Sequence, residues 1–193
     1  MKSIRWFVAG FVVMMLFGWV IFPAILYTHE EQPLQFSHKV HSGETVGLPC
    51  QDCHRLSADG RFEGVPAIAK CAECHAEAIG STADERLLVE EYVKKGREIP
   101  WLVYARGPQN ASFPHASHLI GAGLACERCH GSQGTAESLP AFRRNRISGE
   151  SQAIWGTSIA GFKMAEWDGM KMDDCARCHR ERGVANTCLK CHK

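Results

Sequence analysis

The residues most able to do chemistry in this chain are its cysteines and histidines, ten of each. All ten cysteines fall in five copies of Cys-x-x-Cys-His: Cys50, Cys53 and His54; Cys71, Cys74 and His75; Cys126, Cys129 and His130; Cys175, Cys178 and His179; Cys188, Cys191 and His192. Two thiols at this spacing can add as thioethers to the vinyl groups of a porphyrin, and the histidine that follows then lies under the iron as its proximal ligand. Paired cysteines also suit zinc, and cysteine-rich chains are often disulfide scaffolds. A histidine in the fifth position of every copy, with no cysteine left over, argues against both. The expected cofactor is therefore five covalently bound haem c. A sixth haem held without its own motif stays open.

Five histidines remain: His29, His38, His41, His115 and His118. Five six-coordinate irons need five distal ligands, so the equality points to bis-histidine ligation. Four of the five lie in a repeated element. Phe36-Ser37-His38-Lys39-Val40-His41 precedes Cys50, and Phe113-Pro114-His115-Ala116-Ser117-His118 precedes Cys126. Histidines at i and i+3 project from one side of a helical turn, so one element can serve two neighbouring irons. His29 has no such repeat. Its rivals as a ligand are Met164, Met170 and Met172, just before Cys175; a thioether ligand raises the reduction potential relative to imidazole. Saturated irons leave no position for a substrate. No cluster of carboxylates, Ser/His pair or Gly-rich phosphate loop is present, so the chain reads as an electron wire and not as a catalyst.

The elements that must position these groups are few. One helix is expected after Thr82, where Thr82 and Glu85 form a capping box, Leu87, Leu88, Val89, Tyr92 and Val93 form an apolar side, and Gly96 ends it. No strand of useful length is expected. The stretch from Phe142 to Asp168 is long for a connection between haem motifs. The fold class is mostly α and irregular, with porphyrin as much as side chain filling the core. The expected division is a transmembrane anchor over 1–28, a two-haem module over 29–80, a linker helix and connection over 81–107, and a three-haem module over 108–193.

The anchor rests on 21 uncharged residues from Trp6 to Leu26. As a helix they span roughly 30 Å, the thickness of the hydrocarbon core. Trp6 and Tyr27 bracket the run, Lys2 and Arg5 precede it, and Glu30 and Glu31 follow. The positive-inside bias places the N-terminus in the cytoplasm and the haem domain on the periplasmic side of the inner (cytoplasmic) membrane, with a single pass. A cleaved signal peptide is the competing reading; it calls for a shorter apolar core and small residues before the cleavage site, where this chain has Ile25-Leu26-Tyr27. The net charge of +1 before cofactors gives no sign of nucleic-acid binding.

Taken together the motifs resemble the multihaem cytochrome subunit of alternative complex III and of the related quinone reductase complex (Qrc). The resemblance runs from the Phe36 element through Gly64-Val65-Pro66 to Cys71, and from Ile99-Pro100-Trp101 through the Phe113 element to Gly131. It continues through Met172-Asp173-Asp174-Cys175 to the last motif. The two Phe-x-His-x-x-His elements are also similar to those of tetrahaem cytochrome c3 and its trihaem relatives. That likeness implies that the first histidine of each pair serves the motif that follows it and the second a neighbouring haem. The family implies partners: a molybdopterin-enzyme-like subunit, an iron–sulfur subunit, a polytopic quinone-binding membrane subunit, and a soluble periplasmic cytochrome c3-like donor or acceptor. It implies electron transfer between that cytochrome and the menaquinone pool. The short chain, ending one residue after its last motif, favours the quinone-reducing complex. The alternatives are a menaquinol-oxidising alternative complex III subunit, a stand-alone membrane-anchored quinol dehydrogenase, and a multihaem reductase of a small oxyanion. In place of a basic, His-rich run of the alternative complex III pattern, this chain has Leu102-Val103-Tyr104-Ala105-Arg106-Gly107-Pro108.

Overall fold

The computed structural model of the protein describes residues 2–104, 111–149 and 172–192. The uncharged N-terminal run is helical: α1 (Lys2–Leu16), a π-helical turn (Phe17–Ile21) and α2 (Phe22–Leu26) follow one another without a break. In the π turn the N–H of Phe22 reaches back five residues to Phe17 O. Pro23 has no N–H to offer the ladder one position later, and a local widening of the helix is a usual companion of such a gap. The span Ser3–Leu26 is 24 residues long with mean hydropathy 2.3, and none of it is buried by the rest of the chain. It is long and apolar enough to cross a membrane.

The chain leaves this helix in a strand. β1 (Tyr27–Glu30) pairs antiparallel with β2 (Phe142–Asn145), Tyr27 opposite Asn145 and Glu30 opposite Phe142. The expectation of no useful strand is corrected here. Each strand has four residues and little alternation, so neither announces itself; the pair exists because two distant segments meet. Arg144 clamps it, donating from Nε to Glu30 Oε1 at 2.5 Å and from Nη2 to Glu30 Oε2 at 2.8 Å. Arg143 lies over the Tyr27 ring.

The remaining elements are short: α3 (His38–Ser42), α4 (Cys50–Cys53), α5 (Ile68–Ala72), α6 (Ala83–Leu87), α7 (Glu127–His130), α8 (Met172–Glu181) and α9 (Cys188–Cys191). The expected linker helix forms as α6 but widens into a π-helical turn over Leu88–Val93, and Gly96 stops it at φ +58°. Thr82 caps it, accepting from Glu85 N at 3.1 Å. The other half of the expected capping box is absent, because the Glu85 carboxylate is engaged elsewhere. The helix packs into a small core of Leu34, Ile68, Tyr92 and Ile99, with Cys71, Leu88, Val93 and Trp101 at its edge. Among the described residues few are buried and apolar, a thin core that fits a fold completed by prosthetic groups.

Candidate functional site

Each Cys-x-x-Cys-His copy closes into one helical turn. The histidine N–H donates to the carbonyl of the first cysteine: His54 to Cys50 at 2.9 Å, His75 to Cys71 at 2.9 Å, His130 to Cys126 at 3.0 Å, and His192 to Cys188 at 2.9 Å. The fourth copy lies within α8. Positions i, i+3 and i+4 of a turn share a face, so two thiols and one imidazole are offered together. None of the ten cysteines is paired in a disulfide.

The two Phe-x-His-x-x-His elements are near copies in three dimensions. Phe36 stacks on His41 at 4.2 Å between ring centres and meets His38 edge-on at 4.9 Å. Phe113 stacks on His118 at 4.3 Å and meets His115 edge-on at 4.8 Å. The phenylalanine therefore sets the orientation of both imidazoles. Ser37 Oγ caps α3 by accepting from Val40 N.

These elements carry their histidines towards the motifs. His38 faces His54 with ring centres 6.4 Å apart and planes 18° from parallel. His41 faces His75 at 6.2 Å and 47°, and His118 faces His179 at 6.2 Å and 18°. His115 lies close enough to His130 for their charges to repel, which with burial holds His115 below its ordinary pKa. Two imidazoles on opposite sides of one metal, with metal–nitrogen bonds of about 2.0–2.1 Å and about 1.1 Å more to each ring centre, stand about 6.3 Å apart. The three measured spacings match that figure, so the donor set fits an iron between each pair.

Hydrogen bonding orients the rings as ligation requires. Nδ1 faces Ser37 O in His41 at 2.8 Å, Pro114 O in His118 at 3.0 Å, and Gly64 O in His54 at 3.4 Å. In His75 it faces the Glu85 carboxylate at 3.1 Å. An imidazole that donates from Nδ1 keeps Nε2 free for a metal. Burial, aided by neighbouring histidines, lowers the pKa of His38 and His130 and keeps these rings neutral, the form that binds iron. His38 Nδ1 is buried without a partner.

His29 is placed differently. It sits exposed on β1 opposite Arg143, and among the described residues no histidine ring faces it or His192. Met172 begins α8 with most of its surface exposed. Met164 and Met170, and the connection beyond residue 149, lie outside the described residues.

Burial raises the pKa of the Cys53, Cys71, Cys126 and Cys175 thiols. Neighbouring thiols add to it: Cys53 beside Cys71, Cys50 beside Cys126, and Cys129 and Cys191 beside Cys175, after Asp174. The second motif thus adjoins the first, the first the third, the third the fourth and the fourth the fifth. The sequence halves are joined by hydrogen bonds: Lys39 N donates to Ala136 O at 3.0 Å and Ser42 Oγ to Gly134 O at 2.6 Å.

Two side chains take a place at this site that the sequence does not mark. Phe62 stacks on His54 at 5.9 Å and on His115 at 4.7 Å, bridging the halves. Its hairpin approaches so closely that a Cβ on Gly60, at φ +79°, would stand 2.9 Å from Ala116 Cβ. Glu85 is the other; backbone amides, first that of Ile79, lower its pKa. Three carboxylates near the anchor and the last motifs are matched by arginine: Glu30 by Arg144, Asp174 by Arg177 and Glu181 by Arg128.

Residues 23–99 match the class III cytochrome c family. Over 97% of its length the chain is 38% identical to the menaquinone reductase multihaem cytochrome c subunit of Nitratidesulfovibrio vulgaris, 89% of which is covered.

Proposed function

From its place in the family of the menaquinone reductase multihaem cytochrome c subunit, to which this chain belongs, we propose that it is the periplasmic electron-transfer subunit of a membrane-bound quinone oxidoreductase. It passes electrons between a soluble cytochrome c3-like protein and the menaquinone pool, in the quinone-reducing direction. The observation that carries this reading is the set of three histidine pairs whose ring centres stand 6.2–6.4 Å apart at adjoining motifs, where each pair would hold an iron.

Haem c, bound at each motif, supplies one-electron exchange at iron. The chain's residues do the rest. Cys50 and Cys53, Cys71 and Cys74, Cys126 and Cys129, Cys175 and Cys178, and Cys188 and Cys191 attach five haems. His54, His75, His130, His179 and His192 hold the irons from one side. His38, His41, His115 and His118 hold four from the other, and His29 the fifth. Carbonyls on Nδ1 of His41, His54 and His118 and a carboxylate on that of His75 fix these four rings, which would limit reorganisation there. The 1–28 segment anchors the subunit, and the 29–80 and 108–193 modules carry two and three haems on either side of the 81–107 linker. Iron–sulfur, molybdopterin-enzyme-like and polytopic quinone-binding subunits complete the complex.

The test is reconstitution of the complex with and without this chain, with a reduced low-potential soluble cytochrome as donor and a menaquinone analogue as acceptor. Quinone reduction that depends on the chain is expected. Net flow from quinol to the cytochrome at matched driving force would assign the menaquinol-oxidising role. Quinol turnover by the isolated chain would make it a stand-alone dehydrogenase.

A further inference from the structure

The second motif differs from the first in what stands behind its histidine. His54 faces the carbonyl of Gly64, and the distal rings of His41 and His118 also face carbonyls. His75 Nδ1 instead faces Glu85 Oε1 at 3.1 Å. This carboxylate is well held. Its Oε1 also accepts from Ile79 N at 2.7 Å, and its Oε2 accepts from Gly80 N at 2.6 Å. The side chain is only 12% exposed. A Cβ on residue 80 would stand 2.5 Å from Oε2, so the glycine leaves the space the carboxylate occupies. Glu85 serves no helix cap; its geometry is spent on His75 and the turn before it.

A carboxylate that accepts from the remote nitrogen of a metal-bound imidazole makes that imidazole a stronger electron donor, and its charge sits near the metal. Both effects favour ferric over ferrous iron. Hydrogen bonding behind the axial ligand is one of the levers by which a protein tunes a haem. We propose that Glu85 is a positioning residue that makes the haem at Cys71 and Cys74 the most reducing of the set, by holding a carboxylate on His75. An electron placed there would then move downhill to any other haem. This rests on the haem assignment proposed above. The ligand pair there is also the one with rotated planes, 47° against 18°, which gives it a separate signature in electron paramagnetic resonance.

The experiment is a spectroelectrochemical titration of the full-length haem-loaded protein in detergent, following that resonance signal, for the wild type, Glu85→Gln, Gly80→Ala and Thr82→Ala. In Glu85→Gln the lowest potential should move upward while the others stay, so the change involves about one haem in five. Gly80→Ala, which displaces the carboxylate and leaves it charged, should move the same haem less. Thr82→Ala removes the cap and leaves the carboxylate, so it should lower stability and move no potential. Unmoved potentials in both Glu85→Gln and Gly80→Ala at full haem content would overturn the inference. So would an equal shift in Thr82→Ala, which would mark the effect as structural. If Glu85→Gln fails to load haem, Gly80→Ala decides alone. A wild-type peptide with no haem on Cys71 and Cys74 would overturn the assignment of that site and the inference with it.

Discussion

The two Phe-x-His-x-x-His elements have nearly the same ring geometry and very different support. Phe36 and Phe113 clamp their histidines at distances that agree to 0.1 Å. Around the first lies a protein core, Leu34, Ile68, Tyr92 and Ile99. Of the described buried apolar residues only Phe142 belongs to the second half, and it sits on the sheet beside the membrane helix. Local sequence is thus enough to aim two imidazoles, whereas the structure that holds them is supplied from different sources. The first half has side-chain packing of its own. Among its described residues the second has little of its own, and contacts with the first, such as Lys39 N to Ala136 O, help to hold it.

The largest expected effect separates those sources. His115→Ala and His41→Ala should each convert one low-spin haem to high spin, seen in the absorption spectrum. Only the first should also loosen its half of the protein, seen as faster amide exchange across 111–135. Equal loosening around α5 and α6 in His41→Ala would break the comparison. Next is the core itself. Leu34, 5% exposed, should cost about 2–5 kcal/mol on replacement by Ala. Leu189, 86% exposed in the last motif, should change stability by no more than about 0.5 kcal/mol. Denaturant unfolding of the haem-loaded protein measures both.

A smaller effect concerns docking. Each bis-histidine haem adds about −1 when ferric and about −2 when ferrous, once two propionates are set against the iron–porphyrin core. Five such haems would take the chain from +1 to roughly −4 oxidised and roughly −9 reduced. Since Glu30, Asp174 and Glu181 are matched by arginines, the attraction for a basic soluble cytochrome should come mainly from propionates. Its reduction rate should fall between about 10 and 500 mM salt, as the Debye length shortens several-fold. Charge reversal at Glu181 should alter that slope little. A rate unaffected by salt would show that electrons arrive without electrostatic steering.

The smallest effect ties the halves together. Lys39 Nζ and Glu137 Oε1 are 2.6 Å apart across the interface and exposed. Hydrogen bonding to Lys39 lowers the Glu137 pKa below its ordinary 4.5. A depressed carboxyl contributes stability above its unfolded pKa and loses it as pH falls through the folded value. The link should therefore be intact at neutral pH and vanish in acid, below the ordinary carboxylate range. The loss of stability on acidification should be slightly smaller in Glu137→Gln than in the wild type, and salt should shrink the difference.

Much of the chemistry was legible in the residues. Cys-x-x-Cys-His is a one-turn device, so its thiols and imidazole are set by spacing alone, and the histidine pairs lie on single turns as well. The apolar run from Trp6 to Leu26 needed only length and composition to be read as a helix. What could not be read depends on segments far apart in the chain. Neither strand of the sheet is convincing by itself, and each exists because the other is present 112 residues or more away. Phe62 is one aromatic in a loop until the hairpin puts it between His54 and His115. Glu85 carried a strong local signal, the capping box, and the structure used it otherwise. Its carboxylate found two free amides and an imidazole within reach, which satisfy a buried charge better than one amide of its own helix. The order of the motifs in space has the same origin. Sequence determined which groups bind, because binding geometry here is local. Only the tertiary structure decided which groups face each other, because that depends on contacts between distant segments that no spacing encodes.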